Sequence, residues 1–133
     1  MGDFHAPTAR VLVVDDTKVS IRVLRSLLKD TQMKVDMAIS GKQALKLAGD
    51  NYYDIMLIDH LMPEMDGIET MHRIREMNPD LDTVYIAMTS NVIPGARERY
   101  IEAGFHDFFP KPVSKEDLED LLKSKLPADK VES

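Results

Sequence analysis

The sequence predicts an α/β fold, a five-stranded parallel sheet doubly wound by five helices. Two observations carry that expectation. Apolar runs of strand length recur along the chain, and the segments between them space their apolar residues at helical intervals, which is the pattern of βαβ units. The runs also differ in character: VLVV, IMLI and VYIAM are almost continuously apolar, as central strands covered on both faces must be. At 133 residues the chain fits one domain that buries roughly two thirds of the surface its unfolded form exposes.

The first strand is expected over residues 10–15, followed by a helix in which Val19, Val23, Leu24, Leu27 and Leu28 share one stripe. The second strand, 33–38, alternates with period two through Met33-Lys34-Val35-Asp36-Met37, the mark of an edge. A helix near 41–48 leads to the third strand, 55–59, and a helix over 67–77 leads to the fourth, 83–88. After a helix over 94–103, the fifth strand, 105–109, carries His106 and Asp107 and runs into Pro110, which has no N–H for a ladder, so it too reads as an edge. The last helix follows a Ser114-to-Asp117 capping box and lines up Leu118, Leu121, Leu122 and Leu126. With right-handed crossovers and the second strand outermost, the strand order is 2-1-3-4-5, the flavodoxin-like arrangement. Residues 1–9 and 127–133 read as loose tails around a domain of residues 10–126.

Composition removes several classes of function. A net charge of -6 argues against direct nucleic-acid binding, which needs clustered Lys and Arg against phosphates. The absence of cysteine rules out disulfides and thiolate metal sites, and no apolar run approaches the roughly 18 residues of a membrane span, so a cytoplasmic protein with no membrane insertion is expected. MGDFHA has no signal-peptide core, and Ala6 stands where a myristoylation pattern wants Ser or Thr, so no targeting segment is expected.

In a parallel sheet every strand ends at the same edge, so strand-end residues meet however far apart they lie in sequence. Here those ends are polar. The first strand ends at Asp15-Asp16, the third at Asp59 in DIMLIDHLMPEMDG, the fourth at Thr89-Ser90, and the fifth leads to Lys111-Pro112. The reversal of strand order between strands one and three puts Asp15, Asp16 and Asp59 at the crevice where such folds bind ligands. Like charges about 4 Å apart repel by roughly 4 kcal/mol at an effective dielectric near 20, so cations must join them. Lys111 supplies one. An oxygen-only donor set selects a hard divalent ion, Mg²⁺ first with Mn²⁺ as a substitute, and the result resembles a phosphoryl-transfer centre with one carboxylate free to act as nucleophile.

At these residues the sequence resembles the receiver domain of two-component response regulators, over about residues 10–126. VLVVDD is similar to the family's acidic-pair strand, DIMLIDHLMPEMDG to its acceptor strand and loop, MTS to its hydroxyl position and FFPKP to its lysine-proline. The intervals agree as well, 30 residues from position 59 to 89 and 52 from 59 to 111. The resemblance implies a phospho-accepting switch of a phosphorelay and no turnover enzyme beyond self-phosphorylation and slow self-dephosphorylation. Asp59 is the implied phospho-acceptor, served by a histidine kinase, a histidine phosphotransfer domain or a small phosphodonor. Asp15, Asp16, Asp59 and the Leu61 backbone carbonyl are the implied metal ligands, Thr89 and Lys111 the phosphoryl-binding groups, and Thr89 and Phe108 the switch pair. The Lys111-Pro112 bond is implied to be cis. The readout surface would be the fourth helix, fifth strand and fifth helix, serving a downstream protein target that the sequence does not specify, or a phosphorylation-dependent dimer.

Ser90, Pro110, Leu61 and Asn91 depart from the family's commonest residues without removing an essential group. His60 is expected to face outward, His5, His72 and His106 to be surface residues, and Asp66-Gly67 to be a turn and helix start. The methionines read as core filler, with Met62 and Met65 under the acceptor loop. A haloacid-dehalogenase-like phosphatase would need Asp-x-Asp where Asp15-Asp16-Thr17 stands, and a flavin carrier a better phosphate loop than Thr17-Lys18-Val19-Ser20. A receiver kept only for protein contacts would have lost an acid or the lysine. Stand-alone regulator, relay intermediate and piece of a hybrid kinase or longer regulator all remain open.

Overall fold

The computed structural model describes residues 5–79, 82–90, 92–111 and 114–131. Its elements alternate as β1 (Arg10–Val14), α1 (Lys18–Leu28), β2 (Lys34–Ala38), α2 (Gly41–Asp50), β3 (Ile55–Asp59), α3 (Gly67–Met77), β4 (Val84–Thr89), α4 (Ala96–Ala103), β5 (Asp107–Pro110) and α5 (Lys115–Lys125). The strands pair in parallel in the expected order β2-β1-β3-β4-β5. All five residues of β3 are buried, and β1 and β4 are nearly so, as central strands should be.

Side chains alternate between two cores along each strand. Val11, Val13, Ile55, Leu57, Ile86 and Met88 face α1 and α5, where Leu24, Leu28, Leu118 and Leu122 close the layer. Leu12, Val14, Met56, Ile58, Tyr85 and Ala87 face α2, α3 and α4, against Ala44, Ala48, Met71, Ile74 and Tyr100. Period-two alternation thus puts an apolar side chain on both faces of every central strand.

Most helix ends were legible. The side chains of Ser40, Asp66 and Ser114 accept from the backbone N–H three residues on, capping α2, α3 and α5. The α4 helix begins two residues later than expected, because Gly95 adopts a left-handed φ of 82° that a continuing helix cannot contain. β5 also begins two residues late. Phe105 instead packs in the core, and His106 accepts a hydrogen bond at Nδ1 from the Tyr85 N–H at 3.0 Å.

One expectation is corrected here. Val19 and Val23 belong to the stripe of α1 by spacing, yet they are 68% and 47% exposed. The first turns of α1 overhang the crevice beyond the sheet, so only Leu24 and Leu28 reach the core fully. Of the flanks expected as tails, residues 5–9 and 127–131 are described, and there Ala6 and Ala9 are fully buried and the Ala6 N–H donates to the Thr31 carbonyl at 2.8 Å. At the other flank a short 3-10 turn, Ala128–Lys130, places the Lys130 ammonium 2.7 Å from Asp54, a buried carboxylate that also accepts from the Arg10 N–H. Lys130→Ala therefore leaves Asp54 with one partner fewer, and it is expected to cost about 1–2 kcal/mol. A lower urea midpoint at an unchanged slope checks this. Among the described residues no helix is long and apolar enough to cross a membrane.

Candidate functional site

The C-terminal ends of β1, β3, β4 and β5 open onto one crevice of about 570 Å³, bounded by Asp16, Asp59, Thr89 and Lys111 on its polar side and by Val19, Val23 and Leu61 on its apolar side. Asp15 follows β1 and is fully buried. Its two oxygens are both engaged, one by the Thr17 N–H at 2.9 Å and the other by the Lys111 ammonium at 2.5 Å. The same ammonium lies 3.5 Å from Asp59 and donates to the Ser20 hydroxyl at 3.3 Å. Asp16 is exposed toward the crevice.

The acceptor loop takes its shape from one close approach. A Cβ on Gly67 would lie 2.3 Å from the Asp59 carbonyl oxygen, so the start of α3 can sit against the end of β3 only with glycine there. The Gly67 N–H donates to the His60 carbonyl at 2.8 Å and closes the loop.

Asp15, Asp16 and Asp59 each offer a carboxylate oxygen, and these atoms lie within 4.8 Å of one another. Burial pushes the Asp59 carboxyl up to about 6; Lys111 pulls it down, while Asp15 and Asp16 add to the rise. A centre of three hard oxygen donors and one ammonium fits a small dication, because that charge offsets the repulsion among the three carboxylates. Thr89 ends β4, is 2% exposed, and borders both the crevice and a smaller cavity behind it. Phe108, on β5, is half-buried and stacks on Tyr100 of α4, with centroids 5.5 Å apart. The side chain of Leu61 stands at the rim, 57% exposed. Thus Asp15, Asp16, Asp59, Thr89 and Lys111 converge as the strand-end argument requires, with Phe108 one layer behind. Pro112 and Asn91 lie outside the described residues.

Sequence reasoning misjudged or passed over three residues. His60 was expected to face outward, and it is instead 8% exposed with Nδ1 2.7 Å from the Tyr100 hydroxyl oxygen. Its burial in the α4 layer lowers its pKa, against the Asp66 carboxylate and with help from Arg99. An even alternation through Ile55-Met56-Leu57-Ile58-Asp59 would have placed position 60 on the α4 side, so the signal was present. Ser20 lies in the first turn of α1, directly after the Asp15-Asp16 strand end, and its hydroxyl accepts from the Lys111 ammonium. Nothing local marks Tyr100 as the partner of a residue 40 positions away.

A doubly wound sheet whose first reversal gathers three acids, a lysine and a buried threonine has the oxygen-rich, cation-binding strand-end site of its fold class. Residues 11–123 match the response regulator receiver domain family, and the chain belongs to it. It is 32% identical over 123 residues to the signal transduction histidine-protein kinase BarA of Escherichia coli K12, covering 92% of this chain and 13% of BarA. The chain therefore spans a small fraction of that relative. Chemotaxis protein CheY4 of Vibrio cholerae superposes with a TM-score of 0.82 at 27% identity, covering 90% of this chain and 99% of that one. The receiver domain of sensor histidine kinase PA1611 from Pseudomonas aeruginosa, solved with a magnesium ion coordinated in its active-site cleft, superposes with a TM-score of 0.79 at 29% identity, covering 88% of this chain and 96% of that one. The chain is accordingly a receiver domain of two-component signalling, a signalling domain rather than a turnover enzyme.

Proposed function

We propose that Asp59 accepts a phosphoryl group from the phosphohistidine of a histidine kinase or a histidine phosphotransfer domain, in a cytoplasmic two-component relay. The observation that carries this reading is the clustering of Asp59 with two further carboxylates and the Lys111 ammonium in one open crevice. An oxygen of ionised Asp59 attacks phosphorus, the P–O bond forms as the P–N bond breaks, and the departing imidazole keeps the electron pair and takes a proton from solvent. Lys111, held between Asp15, Ser20 and Asp59, balances the incoming charge, and Thr89 donates its hydroxyl to a phosphoryl oxygen. Asp15, Asp16, Asp59 and the Leu61 carbonyl would hold Mg²⁺, whose charge offsets that of the transferring group.

Phosphorylation adds nearly two negative charges and three acceptor oxygens at Asp59. These favour one arrangement of Thr89 and Phe108 over the other, and α4, β5 and α5 present the difference to a downstream target or a second copy. Asp107 already ties these three elements, pairing with Arg97 at 2.7 Å and Lys125 at 3.3 Å. The test is incubation with Mg²⁺ and acetyl phosphate followed by peptide mass spectrometry. One added phosphoryl group at Asp59 is the expected result; continuous hydrolysis of phosphate esters would point to a phosphatase, and modification elsewhere would end the reading.

The apolar Leu61 side chain at the crevice rim limits water's approach to the phosphoryl group. Leu61→Asn, which offers an amide to orient water, is expected to shorten the phosphoform lifetime by about tenfold, less than the roughly 10²-fold or more of a positioned general base because an amide orients water without taking its proton. An unchanged decay of the isolated phosphoprotein would remove this role from Leu61.

A further inference from the structure

Phosphoryl transfer at Asp59 makes no use of His60 or Tyr100, yet the two form the tightest side-chain link between the acceptor loop and α4. The His60 N–H donates to the Met88 carbonyl at 3.0 Å, so the backbone of this residue is fixed to β4. Its ring meets Tyr100 edge-on, with centroids 5.2 Å apart and Nδ1 2.7 Å from the hydroxyl oxygen. Nε2 faces the Asp66 carboxylate at 3.8 Å, which favours a hydrogen on that nitrogen and leaves Nδ1 to accept from Tyr100.

The helix at the other end of this bond is weakly anchored. It has eight residues, and only Ala96 and Tyr100 are buried. Alanine has little to pack, so Tyr100 is the one large buried side chain of α4, supplemented by the ion pair of the largely exposed Arg97 with Asp107. The Tyr100 ring also stacks on Phe108, at an interplanar angle of 27°. Beside it lies a cavity of about 140 Å³ bordered by His60, Thr89, Ile93, Ala96 and Tyr100, which leaves room for a ring to shift.

We propose that the His60–Tyr100 hydrogen bond couples the end of β3 to α4, so that a displacement beside Asp59 reaches α4 and Phe108 through the Tyr100 ring. His60 and Tyr100 are positioning residues in this role. The input, though not the contact, rests on the reading of Asp59 as the phospho-acceptor. A rigid chain of packed side chains ending on a lightly held helix is the kind of element whose arrangement a nearby group can bias.

Hydrogen exchange read by mass spectrometry on the whole chain, with and without Mg²⁺ and acetyl phosphate, tests the coupling. Tyr100→Phe keeps the ring and removes the hydroxyl. In the unmodified variant the α4 amides are expected to exchange about three- to tenfold faster than in the wild type, the range that loss of one hydrogen bond gives. The phosphorylation-dependent change at α4 is expected to fall by half or more, with modification of Asp59 undiminished. His60→Leu should reproduce both effects, and the double variant should add nothing further. Wild-type exchange and response in Tyr100→Phe, additive effects in the double variant, or no response of α4 in the phosphorylated wild type would each overturn the proposal. Should one variant not fold, the other decides alone. If Asp59 takes up no phosphoryl group, the functional reading fails, while exchange in the unmodified variants still decides the coupling.

Discussion

Asp59→Asn is expected to abolish phosphorylation by acetyl phosphate and, in Mg²⁺-free buffer at neutral pH, to make the protein more stable. The second effect follows from the environment of the carboxylate. Burial and the neighbouring acids raise Asp59 to about 6, whereas an unfolded aspartate titrates near 3.9. Between those values the folded chain keeps a proton that the unfolded chain has lost, so stability falls as pH rises from about 4 to about 6 and stays lowered above that. Asparagine has the same shape without the charge. The gain is about 1–2 kcal/mol at pH 7 after allowing for residual screening, or about 4–8 °C in Tm for a domain of this size. It should vanish below about pH 4. Millimolar Mg²⁺ should stabilise the wild type and not the variant, closing the gap, since a ligand of the folded state stabilises by mass action. Equal Tm values for both proteins at pH 7 without Mg²⁺ would show that Asp59 is not held in a repulsive cluster.

Lys111→Met is expected to act in the opposite direction. Asp15 is fully buried, and Lys111 is the cation that both it and Asp59 face. Removing one member of a buried pair leaves an uncompensated charge, which costs about 3 kcal/mol in the Mg²⁺-free protein. Added Mg²⁺ should restore part of that, because a dication in the crevice replaces some of the missing positive charge. Phosphorylation should slow by about 10²-fold even with Mg²⁺ present, the usual effect of losing one donor aimed at developing charge. Urea unfolding with and without Mg²⁺ measures the first effect and the rate of phosphoryl incorporation the second. A variant as stable as the wild type in Mg²⁺-free buffer would mean that the ammonium does not offset the Asp15 charge.

The two substitutions bracket the same crevice from opposite signs of charge, and their double variant is informative. With Asp59 neutral, Lys111 has only Asp15 to offset. Lys111→Met should then cost less in the Asp59→Asn background than alone, since contacting charges do not behave additively.

Much of this protein was legible in its sequence. Continuous apolar runs marked β1, β3 and β4 as central, alternation marked β2 as an edge, and the crossover rule then left one strand order. That order brings Asp15, Asp16, Asp59, Thr89 and Lys111 to one edge without further assumption, because parallel strands all end on the same side. Local chemistry likewise placed the starts of α3 and α5 at Asp66 and Ser114. The tertiary structure alone decided what covers each apolar or polar surface. Val19 and Val23 have the spacing of core residues, but periodicity names a helix face and not its neighbour, and here the sheet stops short of them. His60 becomes a buried partner of Tyr100 and Lys130 a partner of Asp54 because contacts across 40 and 76 residues of chain depend on how whole elements dock. Local sequence carries the preferences of each segment; which surfaces meet is settled only when the two layers close on the sheet.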